Sequence, residues 1–569
     1  ALQGFLIAAH SVEDADGRKP FAFKLHQFIS GPGKVLMTLE SPGERFITMT
    51  AQRFAPGREG IFLYPAYFCR ECGQEYHPVE LLDNRWSPRE IDVLFPNDAE
   101  DRFGFLVPSG TDFDFDGSVE SLPDFWIEQR TSGPRVKSEY SKFVPTKLHL
   151  DERGRGAAYA NGEGNEFWYI PGHIRFCPRC GMVHEPMGKD INRLSSLSGE
   201  GRSSATTMIT MSVLRNLFAE VPGADGLDQR KMLGFTDNRQ DAALQSGHFN
   251  DFVFLVTLRG GIVGALQKNG GVLTEDAMPE EVFKAIGFDR NDYAAKCEYL
   301  NNPDLFGLNL AEAQRALKFV LGYRIIRDFR KGWRFNNPSL DQLGLVEIAY
   351  VGMDEYIRTE QYFEHAHDAI KSLEPNKRKE LFTLVFTEMR KNLCIDSRFL
   401  DPGEQERMKT KAWTSLKERW GFAFDEKLTV TRYMILSQLP DRLNRSRVDY
   451  ISGGVRSRLV RIIKRAPLWN GSPLEGQILR WKDSDVTEIV ESVLELARDY
   501  GFVKEVPLDR DFSGWCLQSQ ALEWHLCKTS ELTKRAAQNE FFRHIYIGAA
   551  ATLSLSTHNL FEYESHEHT

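Results

Sequence analysis

Phe68-Cys69-Arg70-Glu71-Cys72-Gly73 returns far downstream as Phe176-Cys177-Pro178-Arg179-Cys180-Gly181. Two thiolates two residues apart, followed by Gly, form a tight knuckle that aims its sulfurs at one metal ion. Two such knuckles supply the four tetrahedral ligands of a closed structural zinc site. A single C-x-x-C is weak evidence, because it can also be a redox pair. Repetition with the same flanking Phe and Gly makes Cys69, Cys72, Cys177 and Cys180 the expected ligands of one structural zinc. Two separate dithiols are the competing arrangement, and His77 and His184 are nearby substitutes should one thiol not coordinate.

The knuckles bracket a stretch that reads as β-rich over 20–190. Strand-like runs at 21–29, 34–39 and 46–50 are separated by Gly-Pro-Gly and Ser-Pro-Gly turns. A shared metal would staple the start of this module to its end, closing a loop of about 100 residues. The segment 98–123 is acidic and turn-rich. Its Asp112, Asp114 and Asp116 leave the oxygen pattern of a calcium loop incomplete, so it reads as a surface loop.

Outward from the module, Met208, Met211, Leu214 and Leu217 form the apolar stripe of a helix from 203 or 204 to 218. A short buried strand at 232–235 runs into the polar turn Thr236-Asp-Asn-Arg-Gln-Asp241 and a helix through Ala242, Leu244 and Phe249. Strand, turn and helix are one unit of a doubly wound α/β domain. Thr236, Asn238, Arg239 and Gln240 then sit where helix-end amides attract phosphate and Arg239 adds a two-pronged contact. A capped helix with Arg239 in a salt bridge fits the same residues equally well.

The pattern is mainly helical over 265–480. An amphipathic helix at 486–500, stopped by Gly501, precedes strands at 502–506 and 515–518, the order of the last part of a winged helix. After a link near Ser530, a helix at 531–544 that leads into Ile545-Tyr-Ile547, then 549–556 and His558, reads as a return to the α/β domain. The helical region is then an insertion. The expected fold class is α/β plus α+β and multidomain, about three or four domains for 569 residues.

With 41% hydrophobic residues the chain has material for buried cores. No apolar run approaches the roughly 20 residues needed to cross a bilayer, and there is no secretory signal. Eight cysteines, four of them scattered, point to reduced thiols plus a metal site and a cytoplasmic setting. A net charge of −9 argues against a protein wholly devoted to coating nucleic acid. Local charge differs. Arg442, Arg445, Arg447, Arg456, Arg458, Arg461, Lys464 and Arg465 share their stretch with one acid, Asp449. A second cluster sets Arg324, Arg327, Arg330, Lys331 and Arg334 among Tyr323, Phe329, Trp333 and Phe335. Such stripes suit a phosphate backbone and its bases, and each also fits an ordinary solvated helix face.

A nucleotide-driven machine needs a Gly-rich loop ending in Gly-Lys-Ser/Thr. Gly31-Pro-Gly-Lys34 followed by Val35 is too short, contains Pro and lacks the hydroxyl, so it reads as a hairpin turn. Asp354-Glu355 lies in a helical context, and no Ser or Cys nucleophile is paired with a His by a local signature. The residues carry no complete active site.

The phrases Gly201-Arg-Ser-Ser-Ala-Thr-Thr207 and Leu233-Gly-Phe-Thr-Asp-Asn-Arg-Gln-Asp-Ala-Ala-Leu-Gln-Ser-Gly-His-Phe-Asn-Asp-Phe252 resemble large bacterial DEAD/DEAH-box helicases of superfamily two, the zinc-containing type found in phage-defence islands. Phe561-Glu-Tyr-Glu-Ser-His-Glu-His-Thr569 is similar to the segment before that family's second-lobe motifs. Lys24-Leu-His-Gln-Phe28 and the knuckles are similar to the module after its first RecA-like lobe. The resemblance implies a central fragment. Residues 1–19 would end a preceding lobe or linker, 20–190 form the zinc module, and 200–264 with 529–569 form parts of the second RecA-like lobe. Between those parts lie a helical insertion at 265–480 and a winged-helix-like segment at 481–528. It further implies ATP and Mg in the intact parent, with Walker A, DEAD/DEAH and arginine-finger motifs outside this sequence. Thr236, Asn238, Arg239 and Gln240 carry over as nucleic-acid contacts; from the stripes, Arg456, Arg458 and Arg461 join them. The expected partner is nucleic acid, DNA before RNA, with other defence-system subunits possible through the resemblance alone and no membrane. The competing function is a non-enzymatic zinc-dependent DNA-binding or scaffold protein. A zinc hydrolase fits poorly, because four Cys ligands leave no open metal position.

Overall fold

The computed structural model describes residues 12, 34–91 (without 42, 51 and 71), 102–109, 115–131, 133–156, 164–184, 189–196, 201–220, 232–234, 239–329, 338–423, 425–437, 450–509, 512–527, 540–555, 560, 561 and 563–566. The protein is mixed α/β and multidomain, a β module followed by a largely helical body. The strand expected at 21–29 and the phrase at 24–28 lie outside the described residues.

The β module centres on a seven-stranded sheet. Its order is Thr146–Leu150, Asn165–Pro171, Phe103–Pro108, Glu75–Leu82, Tyr67–Cys69 and Leu194–Ser196, with Arg85–Pro88 pairing on Glu75–Leu82. All its pairs are antiparallel. Successive side chains feed two cores on opposite faces. Phe105, Val107, Trp168 and Ile170 pack on the face that holds the cysteines, whereas Leu106, Phe167 and Tyr169 pack on the other. The central strand Phe103–Pro108 corrects the expectation of a surface loop over all of 98–123. It is buried on both faces, so it shows a continuous apolar run and no alternation. Gly104 is needed there, since a β-carbon would stand 2.1 Å from the Ile170 carbonyl oxygen. Asp112 and Asp114 lie outside the described residues; Asp116 accepts from the backbone amide of Ser118, as in a turn.

The helical body has one continuous core running from Met211 to Tyr563. Gly201–Glu220 is helical as expected, with Met211 and Leu214 buried. Arg239–Lys268 is one helix of 30 residues. Its part Gln245–Lys268 is long and apolar enough to cross a membrane by length and composition, contrary to the sequence reading, and is mostly buried within the fold. Gly260 and Gly264 face Ala549 and Ala550 of the helix Glu540–Ser554, and a β-carbon at Gly260 would stand 2.7 Å from that of Ala549. The helix expected to end at 544 therefore runs on through 545–547. A short apolar run carries no period of its own, and the flanking small residues let two helices approach closely.

The strand expected at 232–235 is likewise absent from its described part. Met232–Gly234 has no strand pairing and Leu233 is 68% exposed; Phe235 lies outside the described residues. At 481–528 the expected order holds: helix Asp483–Tyr500, stopped by Gly501 at φ 90°, then the hairpin Val503–Asp509 and Phe512–Gln518. That hairpin is built into a larger sheet. Phe512–Gln518 also pairs with Ile395–Asp396 and Tyr433–Ile435, while Leu522–Leu526 joins Val272–Thr274 and Val346–Tyr350 in a separate three-stranded sheet.

Candidate metal centre

Both knuckles adopt the same backbone. The Gly73 amide donates to the Cys69 carbonyl at 2.9 Å and the Gly181 amide to the Cys177 carbonyl at 2.8 Å. The Cys69 amide donates to Gln74 and the Cys177 amide to Met182. Each first Cys follows a Phe paired antiparallel with the residue seven positions on, Phe68 with Glu75 and Phe176 with Val183. Gly73 and Gly181 have φ of 73° and 70°, a left-handed conformation that favours Gly. The repeated phrase thus folds twice into one local structure, and the sheet brings the copies together.

The four sulfurs lie within 4.8 Å of one another. The approaches across the knuckles are Cys69–Cys180 at 4.0 Å and Cys72–Cys177 at 3.7 Å. A tetrahedral ion with metal–sulfur bonds near 2.3 Å needs sulfurs about 3.8 Å apart. These separations fit that need and lie far beyond a disulfide bond of about 2.05 Å. The cluster is one four-thiol set rather than two separate dithiols, and it could hold a metal ion.

The surroundings are aromatic, and three of the four cysteines are buried, with Cys72 partly exposed. Cys177 is fully buried, and Phe176 packs edge-on to Trp126, which stacks on Tyr140. Contacts with the other sulfurs, Cys177 first, favour a thiolate at Cys69, whereas burial holds the Cys177 thiol up. A bound dication removes that conflict by stabilising every thiolate. His77 does not stand in as a ligand: its Nδ1 meets the Pro65 carbonyl and its Nε2 the Glu75 carboxylate at 2.7 Å.

The candidate nucleic-acid residues are placed differently. Thr236 and Asn238 lie outside the described residues; Arg239 and Gln240 open the long helix. Arg456 occupies a left-handed turn, φ 68°, just before the helix Arg458–Lys464. Arg458 pairs with Glu388 at 2.8 Å. Arg461 donates to the Ser121 carbonyl at 2.6 Å and Arg465 to the Arg179 carbonyl at 3.1 Å. Positions 458, 461 and 465 fall on one helical face, and that face meets the second knuckle and its neighbours instead of standing open. In the other stripe Arg324 and Arg327 close on Glu426, and Phe329 stacks on Trp524. The spacing revealed a face; nothing local named what it touches.

No protein-family model, curated protein or solved structure matches this chain.

Proposed function

We propose that this chain is the central portion of an ATP-dependent nucleic-acid helicase or translocase, supplying grip and a structural zinc site. The resemblance at 201–207 and 233–252 supports the motor reading. One structural relationship supports it independently. The helix Arg239–Lys268 holds the segment at 563–566 through Ser246 and Asn250, whose partner Ser565 is 315 or more positions away in sequence. The two stretches assigned to the second lobe thus meet, in a core that they share with the intervening residues.

Zinc is favoured over harder ions because all four donors are thiolates. The role is structural, since four protein ligands fill the tetrahedron. In this reading ATP and Mg are handled by motifs outside the sequence, and grip falls on Thr236, Asn238, Arg239 and Gln240. Arg458 and Arg461 are already engaged inside the protein. The winged-helix-like segment packs rather than reads a groove: its helix exposes Glu488, Glu491, Glu495 and Asp499, which a phosphate backbone repels. The test is Arg239→Ala in the intact parent. DNA-stimulated ATP turnover and unwinding should both fall, and unchanged values would sink the assignment.

The internal engagement of Arg324, Arg327, Arg458, Arg461 and Arg465 from the two stripes favours a second reading, a zinc-dependent scaffold without catalysis. Nucleic-acid binding without stimulated ATP turnover in the intact protein would select it.

A further inference from the structure

The second knuckle is covered and the first is open. A β-carbon built on Gly73 meets nothing within 4 Å, whereas one on Gly181 would stand 2.9 Å from Arg461 Nη1 and 3.3 Å from its Cζ. The guanidinium therefore lies directly on the backbone of the knuckle that carries Cys177 and Cys180. Its Nη2 is held by the Ser121 carbonyl; Nη1 is buried and has no hydrogen-bond acceptor among the described residues. An arginine buried this way is costly unless negative charge lies close by. Glu388 is used by Arg458, and Asp483 is used by Lys464 at 2.8 Å. Among the described residues, the negative charges that favour its cation are Asp483, already shared with Lys464, and the sulfurs of Cys180 and Cys177. Four thiolates around a dication carry two net negative charges, which also need compensation where Cys177 and Cys180 are buried.

We propose that Arg461 is a positioning residue of the metal centre. Its cation offsets the charge of the metal–tetrathiolate cluster, and it joins metal binding to docking of the β module on the helix Arg458–Lys464. By linkage, metal then strengthens docking and docking strengthens metal binding to the same degree. The inference rests on the four cysteines binding a metal and is independent of the motor reading.

The zinc content of the purified chain is measured first; a protein that neither retains nor takes up zinc removes the metal site itself and the inference with it. With zinc bound, competition against a chromophoric chelator gives affinities for the wild type, Arg461→Met and Arg461→Lys. Arg461→Met should weaken zinc by about 10-fold or more, the usual scale for residues that support metal ligands, and Arg461→Lys should recover part of the loss. Cobalt substitution should keep the tetrahedral spectrum in both variants. An Arg461→Met affinity within about twofold of wild type overturns the proposal, given that same scale. Should Arg461→Met not fold, hydrogen exchange of the wild type decides. Chelation should deprotect 458–465 along with 177–182, and unchanged protection of 458–465 refutes the coupling.

Discussion

Ser246 Oγ donates a hydrogen bond of 2.9 Å to the Ser565 carbonyl, across 319 residues of chain. Asn250, one helical turn on, accepts from the Ser565 amide at 2.8 Å and donates to the same carbonyl at 2.9 Å. Arg419 adds a contact to the Tyr563 carbonyl. Side chains of one helix face and of Arg419 thus hold a segment that has no strand partner among the described residues.

Asn250→Ala removes both of its bonds to Ser565 and leaves that amide unpaired. The expected cost is about 1–3 kcal/mol, measured by denaturant unfolding, with faster proteolysis beyond Leu560. Unaltered cleavage there would show that Ser246 and Arg419 suffice.

Arg259 is fully buried and meets Asp328 with two nitrogens, at 2.7 and 3.2 Å, while its Nη1 donates to the Tyr546 hydroxyl at 2.7 Å. Asp328→Asn leaves a buried cation uncompensated and should cost about 3–5 kcal/mol. Tyr546→Phe removes one charged hydrogen bond and should cost about 1.5–3 kcal/mol. The reverse order in thermal unfolding would mean that Tyr546, not the ion pair, anchors the helix.

Acid stability should depend on Glu426 and Glu275 with opposite signs. Burial alone would raise the Glu426 carboxyl, but Arg324 and Arg327 bring it below its ordinary value. The folded protein therefore binds fewer protons than the unfolded chain, and this contribution, present above the unfolded pKa near 4.3, is lost as pH falls through the lower folded value. Burial raises Glu275 despite the Ser397 hydroxyl that donates to it. Its charged form is disfavoured in the fold, so its penalty grows as pH rises above the unfolded value. Glu426→Gln should flatten the acid limb of the stability profile, while Glu275→Gln should stabilise near neutral pH. A profile unmoved by either change rejects this assignment.

Metal removal should act on the β module and on the helix Arg458–Lys464 that docks on it. Chelation under reducing conditions should release the knuckles and raise hydrogen exchange in 67–76 and 176–183, because the metal's binding energy is part of that module's folding energy. The helix Arg239–Lys268 belongs to a separate core and should keep its protection. Simultaneous loss in both would contradict two cores.

The two knuckle glycines should respond unequally. Gly73→Ala carries only the left-handed backbone penalty, about 1–2 kcal/mol. Gly181→Ala carries that penalty and must also displace the Arg461 guanidinium. Equal melting temperatures for the two variants would place Arg461 away from the knuckle in solution.

The knuckles were legible because their spacing is local: a C-x-x-C-G phrase dictates its own turn before any long-range contact forms. The helices with a clear apolar stripe, at 201–220 and 483–500, were legible for the same reason, and so was the helix–hairpin order that follows the second. The strand Phe103–Pro108 was not. A strand buried on both faces shows no alternation, and the acidic residues around it mimic a loop. The helix end expected at 544 failed because the short apolar run 545–547 carries no period of its own, and the packing of Ala549 against Gly260 belongs to a helix that continues to 554.

Residue order alone determined that two like sulfur-bearing turns would form, and that a stretch ending at Arg465 would be rich in arginine. Tertiary structure decided that the turns meet within a few ångströms and that the arginine side covers one of them. Backbone turns and helical periodicity depend on neighbours a few positions away. The partner of a charged face depends on which surface, hundreds of residues distant, the folded chain carries to it.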